Sequence, residues 1–191
     1  MEKKALLVLI GLLVVVGFVS PTLADTPVPK DEKKQTVLGK YITAREAYQM
    51  WKASPAKLIV VDVRTPEEYT FVGHAPMAYN FPSKLWTGKW VADKKTFALD
   101  DNPEFEAQVM QKFGLNDTIL VMCRSGQRSA AAVNLLAKAG FTDVYNIVDG
   151  FEGDVIHDPE SYYIGKRMLN GWKNASVPWT YDLDPTLVYA P

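Results

Sequence analysis

The sequence predicts an α/β domain, a parallel sheet with helices on both faces. Two runs rich in β-branched residues, Lys57 to Val63 and Thr118 to Met122, read as strands buried on both faces. Segments with helix-start signals alternate with the strands, which is the pattern of parallel α/β units. The 191 residues suit a single domain that buries enough surface to fold without cross-links.

The first segment, residues 1–24, carries Lys3 and Lys4, an apolar stretch from Ala5 to Val19, and Thr22-Leu23-Ala24 before Asp25. Basic, apolar and small residues in that order predict a secretory signal cleaved after Ala24, and hence a periplasmic or secreted protein. The apolar stretch falls short of the ~20 residues of a spanning helix, so membrane attachment is expected only if the signal is not cleaved. Residues 25–36, DTPVPKDEKKQT, are polar, charged and proline-broken, and read as a flexible tether.

The domain proper is expected over residues 37–153. A short extended piece around Lys40 to Ile42 precedes Thr43-Ala-Arg-Glu46, a capping box that opens a helix to about Trp51. After the Lys57 to Val63 strand, Thr65-Pro66-Glu67-Glu68 starts a second helix, with proline at its first position and acids in its first turn. A strand is expected near Ala78 to Phe81 and a helix from Pro103 to Phe113, ended by Gly114. After the Thr118 to Met122 strand come a helix from Ser129 to Ala139, closed by Gly140, and a last strand from Asp143 to Val148. Ser83 to Asn102 gives no clear period. Residues 154–191 form an extension that is expected to pack on the domain, because Trp172, Trp179 and several tyrosines would otherwise leave a sizeable apolar patch in water.

Charge excludes some functions. The whole chain carries −1, and removal of Glu2, Lys3 and Lys4 with the signal leaves it near −2, without the basic excess of a nucleic-acid binder. Cys123 is the single cysteine, and His74 and His157 are the two histidines. A cysteine/histidine metal site is not assembled from these, and no cofactor is expected. Dithiol redox chemistry is excluded as well.

Cys123 ends its strand, and ligands of parallel sheets bind beyond the carboxyl ends of the strands. From Cys123 to Arg128 the chain turns from strand to helix in six residues, CRSGQR. A tight turn there points successive N–H groups inward at a helix N-terminus, which favours an anion and therefore the thiolate. Arg124 and Arg128 add permanent positive charge, and Gly126 permits the turn. A buried, inert cysteine is the ordinary alternative, but it needs neither the two arginines nor the glycine.

Four ordered motifs carry a resemblance: Asp62-Val-Arg64-Thr-Pro-Glu-Glu68-Tyr; Gly73-His-Ala-Pro76-Met-Ala-Tyr-Asn80-Phe-Pro82; Cys123-Arg-Ser-Gly-Gln-Arg128-Ser; and Asn146-Ile-Val-Asp-Gly150-Phe-Glu-Gly153. In order and spacing they resemble the rhodanese family from about Tyr41 to Gly153. The resemblance implies a five-stranded parallel sheet flanked by helices, and transfer of a sulfane sulfur through a persulfide on Cys123. It departs from the family at Asp149-Gly150, where two glycines are usual, in the length of 83–102, and in the extension.

On this reading Cys123 is the nucleophile, and Arg124 and Arg128 attract and orient the anion. Ser125, Gly126, Gln127 and Ser129 are placed at the substrate, although helix capping alone accounts for Ser129. Asp62 and Arg64 are expected to support the scaffold, with an ion pair to Glu67 or Glu68. His74 is expected to stabilise a turn by hydrogen bonding. The implied donor is thiosulfate or a similar small anion, and the implied acceptor is a thiol, sulfite or cyanide. A sulfur carrier that hands persulfide sulfur to a relay partner has the same loop. A cysteine phosphatase or arsenate reductase is a further alternative. Its loop places five residues between cysteine and arginine, against the four here.

Overall fold

The computed structural model describes residues 26–190, and the expected signal, 1–24, lies outside the described residues. Among them no helix is long and apolar enough to cross a membrane. Five strands form one parallel sheet: β1 (Tyr41–Ile42), β2 (Leu58–Asp62), β3 (Ala78–Asn80), β6 (Thr118–Met122) and β7 (Val144–Ile147), in the spatial order β1-β7-β6-β2-β3. Between β3 and β6 the chain makes a separate antiparallel hairpin, β4 (Lys84–Val91) and β5 (Thr96–Asp101). The helices are α1 (Ala44–Ala53), α2 (Pro66–Val72), α3 (Phe105–Lys112) and α4 (Gln127–Lys138).

The strands divide their side chains between two cores with the period of two that a pleated strand imposes. Val60 of β2 and Leu120 and Met122 of β6 face a core closed by Ala44, Ala47, Tyr69 and, from the extension, Trp172. Val61 of β2 and Ile119 and Val121 of β6 face the other, closed by Phe105, Val109, Val133 and Leu136. The expected capping box forms, Thr43 with Glu46 at the start of α1; at the start of α2, where Pro66 stands at the first position, Thr65 and Glu68 form a second one. Helix α4 starts two residues before the expected Ser129. Gly126 caps it in the left-handed region (φ 96°), so Gln127 and Arg128 belong to the helix.

Residues 26–36 are not a free tether. The Asp31 side chain starts a 3-10 turn, Glu32–Lys34, that lies on α4. Lys34 pairs with Asp154, and Thr26 donates to Glu46 at 2.6 Å. The segment has little to bury, but its hydrogen-bonding groups find partners on the domain.

The extension runs back over the face that holds α1 and α2. Trp172 is fully buried, Trp179 lies on Gly73, and Thr180 makes an isolated antiparallel bridge with His74. Both His74 ring nitrogens meet carbonyl oxygens, of Tyr69 at 3.1 Å and Asp182 at 3.2 Å, so the histidine fixes the extension to its own turn. Farther on, Leu187 accepts from the Asn80 N–H beside β3.

Candidate active site

Cys123 follows β6 directly and is buried with 1 % of its surface exposed. Its Sγ accepts from the Gly126 N–H at 3.2 Å, which closes the loop over the sulfur. Ser129 Oγ lies 3.4 Å from Sγ and 2.6 Å from Asn146 Oδ1. One hydroxyl proton serves either neighbour, so Ser129 can accept from a thiol or turn its proton toward a thiolate.

The back of the loop is held by the turn after β7. The N–H of Phe151 donates to Cys123 O at 2.7 Å, and the N–H groups of Glu152 and Gly153 donate to Arg124 O at 2.9 and 3.2 Å. With those carbonyls turned backward, the N–H groups of Arg124, Ser125, Gln127, Arg128 and Ser129 donate to no group among the described residues. Unengaged donors beside a nucleophilic sulfur make a cradle for negative charge. Gly150 makes the close approach: a Cβ there would stand 2.5 Å from Cys123 O and 2.6 Å from Ser125 N. Gly126 is equally confined, since its Cβ would lie 2.2 Å from Val148 O.

Asn146 locks the loop from the side, and the sequence attaches no separate role to it. Its Nδ2 donates to Lys34 O at 2.9 Å and to Gly126 O at 3.1 Å, while its Oδ1 accepts from Ser129. A fully buried asparagine at the carboxyl end of the last strand is the signal that could have marked it, since buried amides need partners.

The two loop arginines are not equivalent. Both terminal nitrogens of Arg128 donate to Glu68, each at 2.6 Å. Burial works against the Arg128 charge, but the hydrogen bonds and charge of Glu68 outweigh it and hold the guanidinium protonated above its ordinary range. Burial likewise works against ionised Glu68, yet Arg128 keeps its carboxyl below the usual range. The expected task of orienting an anion through the Arg128 fork is therefore corrected: the fork is committed to Glu68. Gln127 is also turned away, with its amide on Asp31 at 2.8 Å. Arg124 alone of the pair is exposed, and it faces a cleft between the loop and the β4–β5 hairpin.

Asp62 and Arg64 pair with each other, fully buried, and not with Glu67 or Glu68. The Arg64 Nε and Nη2 donate to the Asp62 carboxylate, and Nη2 also donates to Gly73 O at 2.7 Å. The guanidinium lies 4.0 Å over the Phe151 ring. Phe151 in turn holds Cys123 O, so the pair supports the loop without being part of it.

Asp149 stands where the turn after β7 departs from two glycines. Its carboxylate accepts from the N–H of Ala44 at 2.8 Å and of Gly171 at 3.0 Å, tying α1 and the extension to the turn that backs the loop. Burial pushes its carboxyl up, against those hydrogen bonds.

Comparison with known proteins agrees with this geometry. Residues 43–155 match the Rhodanese-like domain family. Over 91 residues, 48 % of this chain and 68 % of the other, the chain is 42 % identical to thiosulfate sulfurtransferase 16, chloroplastic, of Arabidopsis thaliana. It is 33 % identical over 140 residues to an uncharacterized protein of Rickettsia rickettsii, covering 73 % of this chain and 96 % of that one. A crystal structure from Mycobacterium tuberculosis superposes with a TM-score of 0.59 at 28 % identity, over 75 % of this chain and 98 % of the other.

Proposed function

The chain belongs to the rhodanese family of sulfurtransferases, and we propose that it moves a sulfane sulfur from thiosulfate, or a similar small anion, to a nucleophilic acceptor through a persulfide on Cys123. The observation that carries this reading is the set of unengaged N–H groups from Arg124 to Ser129 around a sulfur already held by Gly126. In the first step the Cys123 thiolate attacks the outer sulfur of thiosulfate. The bond to the inner sulfur breaks, and sulfite leaves with the electron pair. The negative persulfide then rests in the cradle that held the donor, which is covalent catalysis in two displacements. The name of the Arabidopsis relative supports thiosulfate as donor.

The test is the mass of the purified protein. Incubation with thiosulfate is expected to add one sulfur atom, cyanide to remove it, and Cys123→Ser to show neither change. Sulfur uptake by the serine variant would refute Cys123 as the nucleophile. A protein that loads sulfur but releases it slowly to every small acceptor would be a carrier for a relay partner. We also propose that it works outside the cytoplasm, with Asp25 at the N-terminus of the exported chain. N-terminal sequencing of the exported protein checks this.

A further inference from the structure

The β4–β5 hairpin stands apart from the parallel sheet, and its two strands pair only with each other. Trp86, Trp90 and Phe97 on it are 46 %, 56 % and 43 % exposed. The Phe97 ring meets both indoles edge to face, with centroids 5.2 Å from Trp86 and 5.4 Å from Trp90, so the three rings form one continuous apolar ridge. A contiguous apolar patch left in water marks an interaction site. The distal half of the hairpin, residues 87–96, carries Lys89, Lys94 and Lys95 against the single acid Asp93, all of them exposed. No carboxylate among the described residues pairs with these three lysines, whereas Lys84 at the base is paired with Asp101. Lysines commonly guard exposed strand edges, and Lys89, beside the register shift between Trp86 and Trp90, fits that task. Lys94 and Lys95 do not fit it, because they lie in the turn between the strands, where there is no edge to guard.

Residue type selects the partner. Protein interfaces are enriched in aromatics and arginine but depleted in lysine, and the hairpin has four lysines and no arginine. Tryptophan beside lysine is instead the composition of a bilayer's interfacial layer: the indole sits at headgroup level, and the lysine stem lies along apolar surface while its ammonium stays in the polar zone. We propose that the tip of the hairpin docks the protein on an anionic lipid surface, with Trp90 seated among the headgroups and Lys89, Lys94 and Lys95 over the lipid phosphates. Phe97 backs the Trp90 ring, and the ribbon holds the lysines around it. Binding of this kind grows with buried apolar area and with attraction to anionic lipid, and the tip supplies both. The inference is independent of the chemistry at Cys123. The same hairpin roofs the cleft that Arg124 faces, so docking brings that cleft close to the membrane surface.

The experiment sediments the purified protein with vesicles of phosphatidylcholine, alone or mixed in equal parts with phosphatidylglycerol. Wild type is expected to bind the mixed vesicles and not the neutral ones, and to be released by salt. Lys89→Gln together with Lys95→Gln is expected to weaken partitioning about fivefold for each charge removed. Trp90→Ala is expected to weaken it about tenfold through lost apolar burial. None of these three side chains lines the Arg124 cleft, and the thermal transition of each variant without vesicles reports that it is folded. Binding by wild type and variants alike, as an apolar N-terminal segment would give, overturns the proposal. So does equal binding to neutral and anionic vesicles, or binding to neither. A loss on removing the lysines with none in Trp90→Ala overturns the seating of the ring. A dimer in solution that Trp90→Ala dissociates, without vesicle binding, overturns the lipid surface in favour of a second copy of this chain. A hairpin-dependent complex with a different protein, again without vesicle binding, overturns it in favour of a protein partner.

Discussion

The Arg128–Glu68 pair offers the sharpest test of how the loop is held. Glu68→Gln removes one charge and keeps the geometry, and glutamine can still close the capping box with Thr65, so the change isolates the ion pair. The two side chains are 17 % and 22 % exposed, between a surface pair, worth ~0–1 kcal/mol, and a buried one, whose rupture costs ~3–5 kcal/mol. Two hydrogen bonds of 2.6 Å place it toward the upper side, and the expected loss is about 2–3 kcal/mol. In urea this moves the midpoint by about 1 M or more with an unchanged slope. The carboxyl of Glu68 is held low in the folded state, so its stabilisation is present above the usual carboxylate range of about 4.3 and is lost as pH falls through the folded pKa. The gap between wild type and Glu68→Gln should therefore be full at pH 7 and close in acid. A loss below about 0.5 kcal/mol at pH 7, or a gap that stays constant in acid, would refute the reasoning.

Gly150→Ala puts a Cβ against the backbone of Cys123 and Ser125 and forces a left-handed alanine. It should cost about 2–4 kcal/mol in thermal or urea unfolding and abolish sulfur loading in whatever fraction still folds. Asp149→Asn replaces one acceptor oxygen by a donor facing an N–H, and should speed proteolytic cleavage beyond Gly153. Because burial raises the Asp149 carboxyl, its contribution is fully present below the usual aspartate range and lost as pH rises through the folded pKa. The stability advantage of wild type over Asp149→Asn should accordingly widen from pH 7 toward pH 4, opposite to Glu68→Gln. Aryl phosphates should be left uncleaved by a protein that loads sulfur from thiosulfate.

What could be read from the sequence was whatever local chemistry determines. Strands β2 and β6 stand out because both faces are buried and nearly every residue is apolar or β-branched. The starts of α1 and α2 stand out because local signals suffice, a threonine three residues before a glutamate at α1 and a proline followed by two acids at α2. The hairpin is invisible for the opposite reason: its strands are mostly exposed on both faces, so no alternation marks them, and Trp86, Trp90 and Phe97 pack on one another instead of the core. The loop's composition announces its chemistry, but partners come from afar. Glu68, sixty residues before Arg128, was assignable to Arg64 as readily as to Arg128, and only packing decides between them. Asp31 likewise reaches Gln127 from a segment whose polarity alone suggests a free tether. In each case the residue type pointed to a charged or hydrogen-bonded contact, and the fold supplied its other half.

The choice of sulfur over phosphate turns on whether the loop can widen. Four residues separate Cys123 from Arg128, one fewer than in cysteine phosphatases, so the ring of N–H donors is smaller by one. A short ring could still admit a tetrahedral phosphate if its backbone moved outward. Here that route is closed. Behind Gly126 stands Val148 O, and behind Cys123 and Ser125 stands Gly150, each close enough that a single methyl group has no room. The carbonyls of Cys123 and Arg124 are tied to Phe151, Glu152 and Gly153, and the side chains of Ser129 and Asn146 pin the opposite rim. Arg128, which in a phosphate cradle would supply the two-pronged contact, has both prongs on Glu68. What the ring offers an added sulfur on Cys123 is backbone donors to share its charge. Hydrolysis of 4-nitrophenyl phosphate by the wild-type protein, lost in Cys123→Ser, would show that the ring opens after all and would overturn this account of it.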